Sequence, residues 1–136
     1  MKKIRIKKKK SDKSKKWLER HFNDYYVNKS RQEGFRSRSS YKLIEIEKKF
    51  NIFSTCKNVL DLGCAPGGWL QVARIFSPST TNIIGIDKLK IKKINGVQFI
   101  ERDIFDEGLD EILNEIFKDK IDVLLSDMSP NSSGNK

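Results

Sequence analysis

The chain is 136 residues long with a formal net charge of +10; 34% of its residues are charged and 37% are hydrophobic. That suffices for one domain with a core and is too little for two ordinary ones. No apolar run approaches the roughly 18 residues of a membrane span. No apolar segment follows the N-terminal charges as it would in a secretory signal. A membrane partner is therefore not expected, and the expected location is cytoplasmic. Two cysteines (Cys56, Cys64) and one histidine (His21) are too few for a four-ligand zinc site or for triad chemistry, so no metal is expected and both thiols are read as reduced.

The charge is unevenly placed. Residues 1–16 hold ten Lys/Arg against Asp12 alone, a net of +9, and 17–42 hold six basic and three acidic groups, a net of +3. Residues 43–136 hold 12 basic and 14 acidic groups, a net of −2. The first 16 residues thus read as a disordered basic arm, followed by part of a single domain over 17–136. Such an arm is either a solubilising tail or a phosphate-binding one whose affinity falls steeply with salt.

In chain order, Trp17 to Gln32 has an amphipathic look and Gly34 ends it. Leu43, Ile46 and Phe50 then recur at helical spacing behind a Ser39 or Ser40 N-cap. Asn58–Leu62 reads as a buried strand stopped by Gly63, and Gly68–Phe76 as a helix with an apolar face. Asn82–Ile86 is a second strand ending at Asp87, and Val97–Ile100 a third ending near Asp103. Leu109–Phe117 is a helix, and Ile121–Leu125 a fourth strand running into Ser126-Asp127. This alternation is that of an α/β fold with a parallel sheet flanked by helices. Its strands end in Asp61, Asp87, Asp103 and Asp127, on the side where open α/β sheets bind ligands.

The string Asp61-Leu62-Gly63-Cys64-Ala65-Pro66-Gly67-Gly68-Trp69 joins the first strand to a helix. Glycines there permit a tight turn and let a ligand lie against backbone N–H groups. The spacing matches neither the dinucleotide fingerprint nor the phosphate loop of nucleotide hydrolases. Asp87, 24 residues after Gly63, can accept hydrogen bonds from ribose hydroxyls. Asp103 is placed to bond an adenine amino group, or simply to form a turn. Asp127 can orient a nucleophile or stabilise a lysine ammonium, and Lys42, one turn into its helix, is the candidate partner.

Arg36-Ser37-Arg38-Ser39-Ser40-Tyr41-Lys42-Leu43, the Asp61–Trp69 string, and Ser126-Asp127-Met128 with Pro130-Asn131 and Ser133-Gly134 together resemble the FtsJ/RrmJ family of RNA ribose 2′-O-methyltransferases. Trp17-Leu18, His21-Phe22 and Tyr26-Val27 resemble the start of its bacterial branch. The resemblance runs from about residue 17 onward in the same order and spacing. It implies a Rossmann-like fold dependent on S-adenosylmethionine, with cofactor contacts at Asp61, Gly63, Gly67, Gly68, Trp69, Asp87, Asp103 and Asp127. It implies catalytic roles for Lys42 and Asp127, and RNA phosphate contacts for Arg36 and Arg38. The implied substrate is a uridine of large-subunit ribosomal RNA, met on the ribosomal particle by a monomeric enzyme.

The family completes its catalytic set with a second lysine and a glutamate, which lie beyond the Asp127 motif together with further strands. The sequence is accordingly expected to be C-terminally truncated, with Ile121–Leu125 left as an apolar edge strand. Other readings are a non-catalytic RNA- or ribosome-binding remnant that keeps the cofactor pocket, a tRNA 2′-O-methyltransferase, or a small-molecule methyltransferase of the same fold. The basic arm and Lys42 speak against the last of these.

Overall fold

The computed structural model describes residues 12–22 and 24–128. Residues 1–11 of the basic arm, and Ser129, Pro130, Asn131, Ser133 and Gly134 of the last motif, lie outside them.

Two short helices replace the single amphipathic segment expected over Trp17–Gln32: α1 (Asp12–Phe22) and α2 (Tyr25–Glu33). The division falls at Asp24, whose carboxylate accepts from Tyr26 N at 2.9 Å and Val27 N at 3.3 Å and so starts a new helix. Helix α1 also takes in Asp12–Lys16, the end of the stretch expected to be disordered. Gly34 closes α2 in the left-handed region at φ 79°. After the Phe35–Ser39 turn, α3 spans Ser40–Phe50. Ser39 does occupy its N-cap position but makes no side-chain cap bond; its own N–H is taken by Ser37 Oγ at 3.1 Å.

Four parallel strands follow: β1 (Asn58–Leu62), β2 (Asn82–Asp87), β3 (Gln98–Glu101) and β4 (Val123–Ser126). Helix α4 (Gly68–Phe76) joins β1 to β2, and α5 (Leu109–Ile116) lies between β3 and β4. The sheet order is β3-β2-β1-β4. The chain thus moves outward from β1 through β3 and then returns to the far side of β1, which places the topological switch between β1 and β4.

Both faces of the sheet are covered, which is why its central strands read as continuous apolar runs. Val59, Ile83 and Leu125 pack with Leu43 of α3 and Leu70 and Val72 of α4. Leu60, Ile84 and Ile86 pack on the opposite face with Leu109 and Phe117. Gly85 is needed on the first face, since a Cβ there would lie 2.6 Å from Leu70 Cδ1 and 2.8 Å from Cys64 Sγ. Cys56 and Cys64 are both free and buried. As expected, β4 forms an edge among the described residues, with Leu124 62% exposed. No helix among the described residues is long and apolar enough to cross a membrane.

Candidate cofactor and catalytic site

The loop after β1 is tied to the end of β2. Gly63 N and Cys64 N both donate to Ile86 O, at 2.8 and 3.2 Å, and Ala65 N donates to Asp87 Oδ2 at 2.9 Å. Gly67 caps α4 at φ 110°, a conformation open to glycine and strained for other residues. At Gly68 a Cβ would fall 2.5 Å from Ser40 Oγ, so only glycine lets α4 begin this close to α3. No side chain caps α4. Its first N–H groups therefore lack the partners that later turns of a helix supply.

Two cavities meet at this loop. One, of about 540 Å³, is bordered by Gly63, Asp87, Leu89, Asp103, Phe105 and Met128. Its carboxylates are oriented: Asp87 Oδ1 accepts from Leu89 N at 2.9 Å, and Asp103 Oδ1 accepts from Phe105 N at 3.0 Å. Leu89, Phe105 and Met128 are large apolar side chains left exposed around them. The second cavity, of about 200 Å³, is bordered by Ser37, Ser39, Asp61, Gly68, Trp69 and Asp127, among others.

Asp61 is the unusual group here. It is 2% exposed, and its Oδ2 has no hydrogen-bond partner. Burial, and then the charges of Asp127 and Asp87, push its carboxyl up to about 7. A buried carboxyl oxygen without a partner is costly, so its place beside a cavity suggests a ligand-facing group. Burial likewise drives the Cys64 thiol up to about 12, which leaves it a core residue rather than a nucleophile.

A third cavity, of about 380 Å³, is bordered by Tyr26, Arg38, Tyr41, Lys42, Glu45 and Asp127, among others. Lys42 Nζ donates to Asp127 Oδ1 at 3.1 Å, joining α3 to the end of β4 across 85 positions of sequence. Asp127 borders all three cavities. The two residues expected to act together are therefore brought together, at the point where the cavities converge.

Other expected site residues are placed differently. Arg36 donates to Pro66 O (3.1 Å), Lys92 O (2.6 Å) and Lys93 O (3.1 Å). These three bonds make it a strut under the glycine loop, a role the sequence reading did not give it beside the RNA contact expected there. Arg38 pairs with Asp24 Oδ2 at 2.7 Å, so its charge is already matched, although it still borders the third cavity. The Trp69 indole is buried and donates to Ser39 O at 2.8 Å, which leaves its backbone as the part available to a ligand.

Sequence reasoning missed Gln71, whose side chain accepts from Arg36 N at 2.9 Å and donates to Gly34 O at 3.1 Å. It also missed Leu89 and Phe105 as cavity walls. The available signal was their apolar character directly after the acidic strand ends.

Residues 35–136 match the model of the FtsJ-like methyltransferase family. The chain belongs to that family. It is 44% identical, over 98% of its length, to "Ribosomal RNA large subunit methyltransferase E" of Rickettsia akari, and 45% identical to the Rickettsia typhi protein of the same name. It spans 61% and 62% of the lengths of those two relatives. Among solved structures, a Plasmodium falciparum protein described as a ribosomal RNA methyltransferase matches with a TM-score of 0.64 at 39% identity, over 74% of this chain and 60% of that one. The fold is therefore the α/β fold shared with that structure, with the expected parallel sheet and flanking helices.

Proposed function

We propose that this chain binds S-adenosylmethionine and forms the cofactor-binding part of a cytoplasmic, monomeric enzyme that methylates ribose 2′-hydroxyls of large-subunit ribosomal RNA. One observation carries the reading: Asp127 borders all three cavities while its Oδ1 holds Lys42 Nζ at 3.1 Å. A cofactor filling the first two cavities and a substrate entering the third would meet at that pair. The names of the Rickettsia relatives supply the ribosomal RNA part of the proposal.

The residues present fit this cofactor. Asp87 and Asp103 are oriented acceptors for ribose hydroxyls and an adenine amino group, and Leu89, Phe105 and Met128 offer apolar walls for a flat ring. The uncapped start of α4 offers N–H donors, and the partnerless Asp61 oxygen offers an acceptor for a cationic group. The acidic surroundings suit a positively charged molecule. When bound, S-adenosylmethionine supplies a methyl group on a sulfonium that is already a good leaving group.

The chain's own contribution on the substrate side is positional. A lysine ammonium has three donors. One is given to Asp127, which leaves two to hold a ribose oxygen at the mouth of the third cavity. Holding that oxygen in line with the methyl is where much of the acceleration of a transfer can come from.

Isothermal calorimetry with S-adenosylmethionine, and tritiated methyl transfer to undermethylated large ribosomal subunits, test the proposal. Cofactor binding is expected for both the wild-type chain and Lys42→Ala; transfer is expected only once the chain is extended by the family's second lysine and glutamate, and Lys42→Ala should then reduce it about 100-fold or more. Absence of binding heat would sink the cofactor assignment. Transfer by the extended chain that is unchanged in Lys42→Ala would remove the catalytic assignment of Lys42 and leave a cofactor-binding module.

A further inference from the structure

Four aromatic rings run from the protein surface into the core beside the Lys42–Asp127 pair. Tyr25 is 65% exposed, Tyr26 41% and Tyr41 7%. Tyr25 meets Tyr26 edge-on at 5.2 Å between centroids, Tyr26 lies 5.4 Å from Tyr41, and Tyr41 meets Phe35 edge-on at 5.6 Å. The inner end is fixed. Tyr41 OH donates to Glu33 Oε2 at 2.9 Å, and Lys29 Nζ sits 4.9 Å from its ring centroid. The outer end is open, and Tyr26 borders the same cavity as Lys42 and Asp127.

Tyr25 and Tyr26 form an adjoining pair of exposed rings at the cavity that Lys42 and Asp127 border, and contiguous exposed patches of this kind mark interaction sites. We propose that the Tyr26 ring, backed by Tyr41, is a stacking platform for an unpaired nucleobase of the RNA, whose ribose it brings to Lys42 and Asp127. The inference rests on the RNA reading given above and adds to it a positioning residue and a preference for single-stranded substrate. Three features of the site support it.

First, bases stack on aromatic faces with little regard to sequence, because every base has a π-face. Second, the platform is anchored at the start of α2, where Asp24 accepts from Tyr26 N and Val27 N and also pairs with Arg38, a residue bordering the cavity. Third, Arg38 and Lys42 border the cavity that Tyr26 borders and Lys29 lies over the adjoining Tyr41 ring; each is paired with one carboxylate (Asp24, Asp127 and Glu33) and keeps further N–H donors for a phosphate-linked chain. A paired base keeps its faces stacked within its helix, whereas a splayed base can lay a face on the half-exposed Tyr26 ring.

The test compares a fluorescein-labelled single-stranded RNA with an abasic ribose-phosphate oligomer of the same length, both titrated against the full chain by fluorescence anisotropy. The abasic oligomer reports the electrostatic part of binding alone. Wild type is expected to prefer the base-bearing RNA by about tenfold, within the range alanine substitution reveals for one stacked base. Tyr26→Ala and Tyr26→Leu are expected to bring that preference close to one, and Tyr26→Phe to retain it. Far-UV circular dichroism checks that the variants keep their helices, and Leu preserves apolar packing on Tyr41. A preference that survives in both Tyr26→Ala and Tyr26→Leu would overturn the platform and leave the RNA reading standing. No binding of either oligomer by wild type would overturn both.

Discussion

The two ends of the sheet are built from the same residue types and differ in how completely their polar atoms are bonded. At the N-terminal end, Asp122 Oδ2 accepts from Lys57 N at 2.7 Å and Asn58 N at 2.9 Å, and these two bonds hold its carboxyl below the usual range. Thr81 Oγ1 donates to Cys56 O, and the Arg74 guanidinium donates to Thr81 O, Gly96 O, Ser77 Oγ and Pro78 O. At the C-terminal end, Asp61 Oδ2 and the nearby Ser40 Oγ are buried without partners, and Asp61 is pushed upward instead. An aspartate at the end of a strand can therefore fasten the fold or wait for a ligand. What separates Asp61 from Asp122 is a buried oxygen without a donor; Asp87, whose two oxygens accept from Leu89 N and Ala65 N, is held in place and still borders a cavity.

Filling the open end should have the largest effect. Gly68→Val would place side-chain atoms where a Cβ already falls 2.5 Å from Ser40 Oγ and 3.2 Å from Ser37 Cβ. The expected outcome is a loss of about 1–3 kcal/mol in stability by denaturant titration, together with loss of S-adenosylmethionine binding. Retained binding would show that the α3–α4 approach does not shape the cavity.

Removing the Asp61 charge should act in opposite directions on stability and binding. The folded chain keeps the Asp61 proton up to about pH 7, whereas an unfolded chain releases it near the ordinary 3.8. Its contribution to stability therefore falls as pH rises from about 4 to about 7 and is level above that. Asp61→Asn should melt higher than wild type at pH 8, and the gap should close toward pH 4. Its affinity for S-adenosylmethionine should drop about tenfold or more, as expected for a lost hydrogen bond to a charged group. Parallel melting curves for the two proteins across pH would refute the burial argument.

The smallest change is expected at the fastened end. Asp122→Ala leaves the Lys57 and Asn58 N–H groups without their acceptor, so the melting temperature should fall modestly while affinity for S-adenosylmethionine stays within about twofold. A matching loss of affinity would mean that the two ends are not independent.

Much of the fold was legible because it rests on local rules. Asn58–Leu62 and Gly68–Phe76 have the observed boundaries, since an apolar run stops at a glycine and a helical face starts after one. The carboxylates at the strand ends were visible for the same reason. What stayed hidden depends on partners distant in sequence. Arg36 looks like a free basic residue until its guanidinium meets the carbonyls of Pro66, Lys92 and Lys93. Asp24 looks like one polar residue in an amphipathic run, yet it divides α1 from α2. Gly85 sits in an apolar strand, and only the approach of Leu70 and Cys64 explains why it has no side chain. Asp61 was legible as a carboxylate at the end of a strand, but the state of its second oxygen follows only from packing.

The pairing of Leu62 with Ser126 has a consequence for how this site can be damaged. Asp127 is the first residue past β4, so its distance to Lys42 is inherited from the alignment of a strand that, among the described residues, pairs with β1 alone. A slip of one residue would carry Asp127 roughly 3.3 Å along the sheet and turn it to the opposite face. Val123 and Leu125, with no polar chemistry of their own, therefore calibrate the Lys42–Asp127 pair. A substitution that loosens their packing would look in an activity assay like a lesion of Asp127 itself.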